Sequence, residues 1–86
     1  MTVYYEKSFD KQFSRLKPAQ KKLAIRRLQL FVVNQFAPEL RNHALKAEWL
    51  GYRSISVGGD LRIHFKERGM DAITVVAIGT HSQLYK

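Results

Sequence analysis

The hydrophobic period of the chain changes once, near Gly51, and this change restricts the possible folds more than any other feature. Before Gly51, apolar residues recur at intervals of three and four, which is the spacing of one face of a helix. After it, apolar and polar residues alternate, as they do along a strand with one buried face. The chain is therefore predicted to be an α+β domain whose helices precede most of its sheet.

A short strand and two helices are predicted in the first half of the chain. Residues 3–6 are rich in β-forming side chains and favour a strand. Ser8 is the expected N-cap of the first helix. Lys17-Pro18 separates this helix from the second, because proline disfavours helical geometry in the residue before it. Residues 36–38, Phe-Ala-Pro, end the second helix, so the two helices are predicted to form an αα-hairpin.

The turn between the first two strands after Gly51 decides which side chains share a face. A three-residue turn over residues 58–60 places Val57 opposite Leu61, and it also places Ile55 opposite Ile63. A two-residue turn mixes apolar and polar residues on both faces, so the longer turn is predicted. One face of the sheet then packs on the helices. The other, called the polar face below, carries Tyr52, Ser54, Ser56, Arg62 and His64.

A third strand after Gly51 is predicted over residues 72–79. These residues are apolar almost throughout, as in a strand covered on both sides or flanked by neighbours. The predicted element order is β-α-α-β-β-β. It describes a small antiparallel sheet packed on an N-terminal helical hairpin, in a single domain spanning residues 1–86. Trp49, just before Gly51, is expected to close the core of this domain.

The charge of the chain indicates the kind of partner that it binds. Fifteen Lys and Arg against seven Asp and Glu give a formal net charge of +8, which attracts polyanions, nucleic acid foremost. An acidic protein, an anionic membrane or a merely solvated basic surface are the alternatives.

Cysteine is absent, which excludes disulfides and thiolate metal sites. Neither a signal peptide nor a run of about 18 apolar residues is recognised, so a cytoplasmic protein without membrane contact is expected.

The residues near the end of the chain suit cleavage of an RNA phosphodiester. Metal-independent cleavage needs a base for the 2′-hydroxyl proton, an acid for the leaving 5′-oxygen and a cation for the phosphorane. Histidine suits the first two roles, since its ordinary pKa is about 6.5. His81 is the best candidate because it follows a strand, and His43 is a second. Tyr85 can stack on an unpaired base or anchor the terminus. For either histidine, the alternative is a surface ring hydrogen-bonded in a turn.

Arg62 is the expected cation, since it lies in mid-strand on the polar face. A cation in this position implies an anionic ligand or a carboxylate partner, and Asp60 is the nearest carboxylate in sequence. His64 is expected on the same face, where histidines are more often structural. Arg53 is expected at the end of the sheet in a structural pairing. The three histidines lack the spacings of metal motifs, so neither a metal nor a cofactor is expected.

Taken together, these residues resemble the RelE/ParE superfamily of type II toxins, and most of all its YafQ-like branch of mRNA interferases. The resemblance covers nearly the whole chain. It is carried by two runs, His43-Ala-Leu-Lys-Ala-Glu-Trp49-Leu-Gly51-Tyr52-Arg53-Ser-Ile-Ser56-Val-Gly-Gly-Asp60-Leu-Arg62-Ile and Ile78-Gly-Thr-His81-Ser-Gln-Leu-Tyr85. It implies a ribosome-dependent endoribonuclease that cuts mRNA in the A site, inhibits translation, and is neutralised by a cognate antitoxin. Operator DNA would be contacted only through that antitoxin.

The resemblance also implies the roles of individual residues. His81 would be the general acid, with Asp60 or His43 as the base. Arg62 would stabilise the phosphorane, and Tyr85, where the branch often has phenylalanine, would position a base.

Two positions depart from the branch: Ser56 stands where it can carry histidine, and Leu61 where it can carry tryptophan. Further cations are expected to contact RNA, the first four of them ribosomal RNA: Lys21, Lys22, Arg26, Arg27 and Lys46.

Two alternative functions remain open. One is a ParE-like gyrase inhibitor without catalytic histidines, and the other is a decayed, non-catalytic toxin that acts only as a nucleic-acid-binding co-repressor with its antitoxin.

Overall fold

The computed structural model describes residues 1–85 and consists of two helices packed on one face of a five-stranded sheet. The strands are β1 (Thr2–Tyr5), β2 (His43–Ala44), β3 (Arg53–Gly58), β4 (Leu61–Glu67) and β5 (Ala72–Thr80). The helices are α1 (Lys7–Ser14), α2 (Pro18–Val33) and a short α3 (His81–Leu84). Two 3₁₀ turns, Pro38–Leu40 and Ala47–Trp49, flank β2. The predicted α+β class is confirmed.

The sheet is mixed, with strand order β1-β5-β4-β3-β2. The strands β3 to β5 pair antiparallel, as predicted. The short β2, which was not predicted, also pairs antiparallel with β3, but β1 runs parallel to β5. The prediction of a wholly antiparallel sheet was therefore wrong at this edge. A parallel pair needs a long connection between its strands, and here the helices and the intervening hairpin supply it. As expected for a nearly continuous apolar strand, β5 is flanked by neighbours on both sides and is buried from Ile73 to Gly79.

The hydrophobic core lies between the helices and the apolar face of the sheet. The helix α2 contributes Ala24, Leu28 and Phe31, and α1 contributes Phe9. The ring of Phe31 meets that of Phe65 edge-on, with centroids 4.9 Å apart. The remaining buried members come mainly from the strands: Ile55, Val57, Leu61, Ile63, Phe65, Ile73, Val75 and Ile78. Because both long helices cover this face, the polar face is left to other elements.

The β3–β4 turn differs from the predicted one without moving any side chain to the wrong face. Ile55 pairs with Ile63 as expected, but Leu61 pairs with Gly58 and not with Val57. Only residues 59 and 60 form the turn, and a bulge near Val57 absorbs the extra residue. Val57 and Leu61 both remain in the core, so burial of these side chains outweighs regular pairing.

The ends of the helices also differ from the predicted ones. Ser8 lies inside α1 and is not its N-cap, which is Glu6. The Ser8 hydroxyl instead donates to the Val76 carbonyl, 2.7 Å away, and ties α1 to β5. Pro18 begins α2 as expected, whereas the helix ends at Val33, before residues 36–38. Within residues 1–85, no helix combines the length and apolar character needed to cross a bilayer.

An aromatic cluster of Trp49, His64 and Tyr85 covers part of the polar face. The rings of Trp49 and His64 meet edge-on with centroids 4.4 Å apart, and Tyr85 lies 5.7 Å from His64. The indole N–H of Trp49 donates to the Leu84 carbonyl, 3.1 Å away, and so attaches α3 to the sheet. The expectation that Trp49 closes the main core was therefore wrong, since it packs on the opposite face.

The absence of a side chain at Gly79 makes room for α3 above the polar face. A Cβ atom at this position would lie 3.3 Å from both Gln83 Cβ and Leu84 Cδ2. Gly79 pairs with Arg62, so α3 folds back directly beside that arginine. The helix α3 is thereby held against the sheet.

The burial of His64 predicts a pH-dependent stability. Burial first, and then the charges of His43, Arg62 and His81, lower the pKa of His64 from 6.5 to about 4. Between these pH values the unfolded chain binds a proton on this ring and the folded protein does not, so acid favours unfolding. With solvent relaxation allowed for, His64 should lower the free energy of unfolding by on the order of 2 kcal/mol across this window.

Urea unfolding of the wild type and of His64→Gln between pH 7 and pH 4 measures this effect, because the variant lacks the titrating ring. The stability of the wild type relative to the variant should fall as the pH drops. A difference that stays constant across the window would contradict the assignment.

Candidate active site

The register of the sheet brings several candidate residues onto neighbouring strands of the polar face. His43, Ser54 and His64 form one row across β2, β3 and β4. Ser56 pairs with Arg62 in the next row. Residues two apart along a strand lie about 6.6 Å apart on the same face, so a single ligand can reach both rows. The alternation of polar and apolar residues had predicted this face correctly.

His81 joins the same face from the beginning of α3, directly after β5. Its exposed ring stacks on Tyr85, with centroids 4.5 Å apart and an interplanar angle of 23°. Its backbone N–H donates to Asp60 Oδ2, 3.3 Å away. Thr80 caps the short helix, since its hydroxyl accepts from the Gln83 N–H at 3.3 Å. The imidazole is therefore held both through its backbone and by the tyrosine ring.

The basic groups of the polar face shift the pKa values of their neighbours. After burial, which is the largest cause, the charges of His43, Arg62 and His81 each lower the pKa of His64. The charge of Arg62 also opposes the increase in the pKa of Tyr85 that burial causes. The strand register and the contacts of the Tyr85 ring with His81 and His64 place these groups in one region, where such charge effects are expected because Coulomb interactions weaken with distance. His81, His43, Arg62 and Tyr85 thus lie together on one side of the molecule.

Arg62 has no carboxylate within ion-pair distance anywhere in residues 1–85. The one ion pair in this part of the chain joins the amino group of Met1 to Asp71, at 3.4 Å. The alternative of an Asp60–Arg62 pair is therefore not formed, and the carboxylate of Asp60 contacts the backbone of His81 instead. A half-buried guanidinium without an internal partner is suited to an anionic ligand.

His43 is exposed, and its hydrogen bond determines its tautomer. Its Nδ1 lies 2.7 Å from the Arg41 carbonyl oxygen. Because a carbonyl can only accept, the neutral ring carries its proton on Nδ1 and keeps the lone pair of Nε2 free. Arg41 presents this carbonyl from the left-handed region of backbone space, at φ 49°. The neutral His43 is thus arranged to accept a proton. Across residues 1–85, no three His, Asp or Glu side chains are grouped as metal ligands.

The structure separates the predicted RNA-binding cations of α2 from this site, because α2 packs on the opposite face of the sheet. Lys22 and Arg26 are exposed there, and Lys21 is half-buried. Arg27 donates from Nε to the Val57 carbonyl, 3.1 Å away, and so has a structural contact. Lys46 is exposed in the segment between β2 and the turn that carries Trp49.

The two departures from the family pattern lie in different environments. Ser56 is half-buried on the polar face beside Arg62. Leu61 is only 5% exposed and belongs to the core, where its side chain packs under the helices. A residue at position 61 with this orientation does not reach a ligand on the polar face.

Sequence reasoning missed the buried part of the polar face. Ser54 Oγ and His64 Nδ1 are both buried and, within residues 1–85, neither has a hydrogen-bond partner. The two residues are cross-strand neighbours, and the rings of Trp49 and Tyr85 pack against His64. Next to them, an open hollow of about 490 Å³ is lined by Glu48, Trp49, Tyr52, Gln83 and Leu84. Alternation had identified the face, but no local signal showed that Trp49 would cover it.

Arg53 lies at the beginning of β3, at the expected end of the sheet. Its Nε donates to Asn42 Oδ1, 2.9 Å away, and its guanidinium lies over the Phe36 ring, 5.9 Å from the centroid. It has the structural pairing that alternation predicted and takes no part in the site.

Solved structures with the same fold include several bacterial toxins. YafQ from E. coli strain BL21(DE3) is 22% identical, with 98% of this chain and 97% of that chain covered and a TM-score of 0.76. A YoeB/ParE toxin from Agrobacterium tumefaciens is 16% identical, with 94% and 99% covered and a TM-score of 0.79. The E. coli DinJ–YafQ toxin–antitoxin complex matches with 22% identity, 98% and 96% coverage and a TM-score of 0.73. Because these sequence identities are all below 25%, the structural similarity shows a shared fold and no more.

The family itself is shown by the sequence of the whole chain. A search of curated proteins gave no significant match. The family model for the YafQ bacterial toxin of type II toxin–antitoxin systems, however, matches residues 1–86. The chain therefore belongs to the YafQ family of toxins of type II toxin–antitoxin systems.

Proposed function

We propose that this toxin is an endoribonuclease that cleaves mRNA on the ribosome without a metal and so inhibits translation. The observation that carries the proposal is the meeting of His81 and His43 with the unpaired Arg62 on one side of the sheet, as follows from the strand register and the ring contacts of Tyr85. Two titratable rings around a cation supply the acid, the base and the charge that this cleavage needs. The contribution of the fold to this proposal is that it brings the two histidines and the arginine to one face of the sheet.

The first proton transfer is assigned to His43. Its Nε2 lone pair accepts the proton of the RNA 2′-hydroxyl, while Nδ1 stays bonded to the Arg41 carbonyl. The 2′-oxygen then attacks the adjacent phosphorus and forms a pentacoordinate phosphorane. The guanidinium of Arg62 stabilises the added negative charge, because it is permanently charged and can bond two phosphate oxygens at once.

His81 is assigned as the general acid. Its protonated ring donates to the 5′-oxygen as the bond from phosphorus to that oxygen breaks, which leaves a 2′,3′-cyclic phosphate and a 5′-hydroxyl. Asp60 acts as a positioning residue, since its carboxylate accepts from the backbone of His81 and not from a reacting atom. Tyr85 stacks on the imidazole and is half-buried, and the exposed part of its ring is proposed to position a nucleobase.

The proposed partners follow from the family and the charge. Structures of a DinJ–YafQ toxin–antitoxin complex exist for a relative, and this chain is proposed to bind a cognate antitoxin of its own in the cytoplasm. The net charge of +8 favours an acidic partner chain and, in its absence, the RNA of the ribosome. The exposed cations of α2, on the far side from the site, are proposed to contact ribosomal RNA. Operator DNA would be reached through the antitoxin.

Removal of the acid should abolish most of the cleavage. His81→Ala is expected to lower the rate of A-site mRNA cleavage by about 10²- to 10⁴-fold, because the leaving oxygen loses its proton donor. Toe-printing of mRNA on translating ribosomes measures this loss. Ser82→Ala, a neighbouring exposed substitution, serves as the control and should cut normally. Cleavage by His81→Ala at the parental rate would refute the assignment.

Removal of the guanidinium should affect the chemical step more than the fold. Arg62→Ala is expected to lower kcat by about 10²- to 10³-fold, since it removes the charge opposite the phosphorane. Arg62→Lys should recover only part of the rate, because an ammonium is a point charge without the planar fork of donors. Single-turnover cleavage on programmed ribosomes gives the rates, and urea unfolding checks the fold. Equal activity of the lysine variant and the wild type would argue against bidentate phosphate contact.

A further inference from the structure

The polar face continues beyond the proposed active site into a second group of aromatic and cationic residues. In this group Tyr4 of β1 pairs with Thr74 of β5, and Thr74 pairs with Lys66 of β4. The ammonium of Lys66 lies over the ring of Tyr52, 5.6 Å from its centroid. The tyrosine row, as this group is called below, crosses the sheet in the order Tyr4, Thr74, Lys66 and Tyr52. Lys66 lies four residues from Arg62 along β4, which corresponds to about 13 Å.

Arg68, just after β4, adds a flat cationic surface to one end of the row. Its guanidinium lies 3.9 Å from the centroid of the Tyr4 ring, at stacking distance. Its backbone N–H donates to the Ala72 carbonyl, 2.9 Å away, which fixes the start of the turn. Tyr4 is 43% exposed, and Arg68 is exposed as well. The outer side of the guanidinium can therefore receive a planar ligand.

The cations of this region are free to bind an anion. Within residues 1–85, neither Lys66 nor Arg68 has a carboxylate within ion-pair distance. An open hollow of about 450 Å³ lies here, lined by Tyr4, Thr74 and Lys66 of the row and by Arg68, with Tyr5, Glu6 and Glu67 also at its wall. Glu67 pairs with Ile73 of the core, so alternation directs its side chain to the other face of the sheet from Lys66.

We infer that the tyrosine row and Arg68 bind the single-stranded RNA that flanks the phosphate held by Arg62. Unpaired bases stack on aromatic rings and on guanidinium planes, and neighbouring cations track the phosphates, which is the combination that this surface presents. The surface is continuous with the proposed active site on the same face of the same strands. The inference rests on the proposed ribonuclease function for the class of its ligand, and it adds a second binding site about 13 Å from the site of cleavage.

Binding of an RNA that cannot be cleaved tests this inference independently of catalysis. The probe is a fluorescent single-stranded hexanucleotide with 2′-O-methyl riboses, and anisotropy is measured at several salt concentrations. Lys66→Ala combined with Arg68→Ala, called the row variant below, removes one positive charge from the row and that of the neighbouring Arg68. Lys11→Ala combined with Arg15→Ala removes the same two residue types from exposed positions in and just after α1, on the helix-covered side.

The row variant should bind the hexanucleotide about tenfold or more weakly than the wild type, because it loses a stacking surface and two phosphate contacts. The slope of log K against log salt should fall by about 1.4, at roughly 0.7 for each lost contact with a single strand. The control variant should keep the slope and stay within about twofold of the wild-type affinity. Tyr4→Leu, which keeps the charge, should weaken binding without changing the slope.

The inference would be overturned by equal losses in the row and control variants, by unchanged affinity in the row variant, or by no measurable binding by the wild type. An effect of the row variant on antitoxin affinity with none on RNA affinity would also overturn it, and would assign the surface to an acidic protein. If the wild type binds through the row but never cuts mRNA on ribosomes, the proposed nuclease function fails and the RNA-binding surface stands.

Discussion

The pairing register of β3, β4 and β5 is the constraint on which the rest of the molecule depends. Ser56, Arg62 and Gly79 lie opposite one another across these strands. Because side chains alternate along a strand, a slip of one residue would bury Arg62 under the helices and expose Ile63. The core therefore fixes the site, since the side chains that fill it leave one possible position for the arginine. The bulge near Val57 is tolerated because it preserves this division of faces.

His81 depends on a second constraint, because it lies beyond the last strand and has no strand partner of its own. Gly79 leaves room for α3 to fold back, and the indole N–H of Trp49 holds the Leu84 carbonyl. The Asp60 carboxylate accepts from the backbone of His81. These contacts come from residues far apart in the sequence, so the position of the imidazole is a property of the whole polar face.

Much of the fold could be predicted from local patterns in the sequence. Periodicity identified both long helices and the strands β3 and β4, and a nearly continuous apolar run identified β5. Alternation placed Ser56 and Arg62 together on the polar face. The two-residue β2 and the four-residue α3 were missed because such short elements have no measurable period. The parallel pairing of β1, the hydroxyl contact of Ser8 and the position of Trp49 depend on tertiary packing, which outweighs local preference.

The candidate site was predictable in its residue types but not in its contacts. Sequence spacing could not show that Asp60 would bond to a backbone N–H and leave Arg62 without a carboxylate. Nor could it show the tautomer of His43, which follows from one carbonyl 2.7 Å away. The match of the YafQ family model to residues 1–86 confirms the family that the motifs had indicated. The catalytic roles remain proposals, supported by the arrangement of these groups.

The central claim is that these groups cleave RNA through its own 2′-hydroxyl. The most direct measurement uses two mRNAs on programmed ribosomes, identical except for a single 2′-deoxyribose at the nucleotide before the scissile phosphate, and analyses the ends of the products. The account predicts that the all-ribose mRNA yields a 2′,3′-cyclic phosphate and a 5′-hydroxyl, and that the deoxy-substituted mRNA stays intact at that position. Cleavage of both mRNAs, or products that carry a 3′-hydroxyl and a 5′-phosphate, would contradict it.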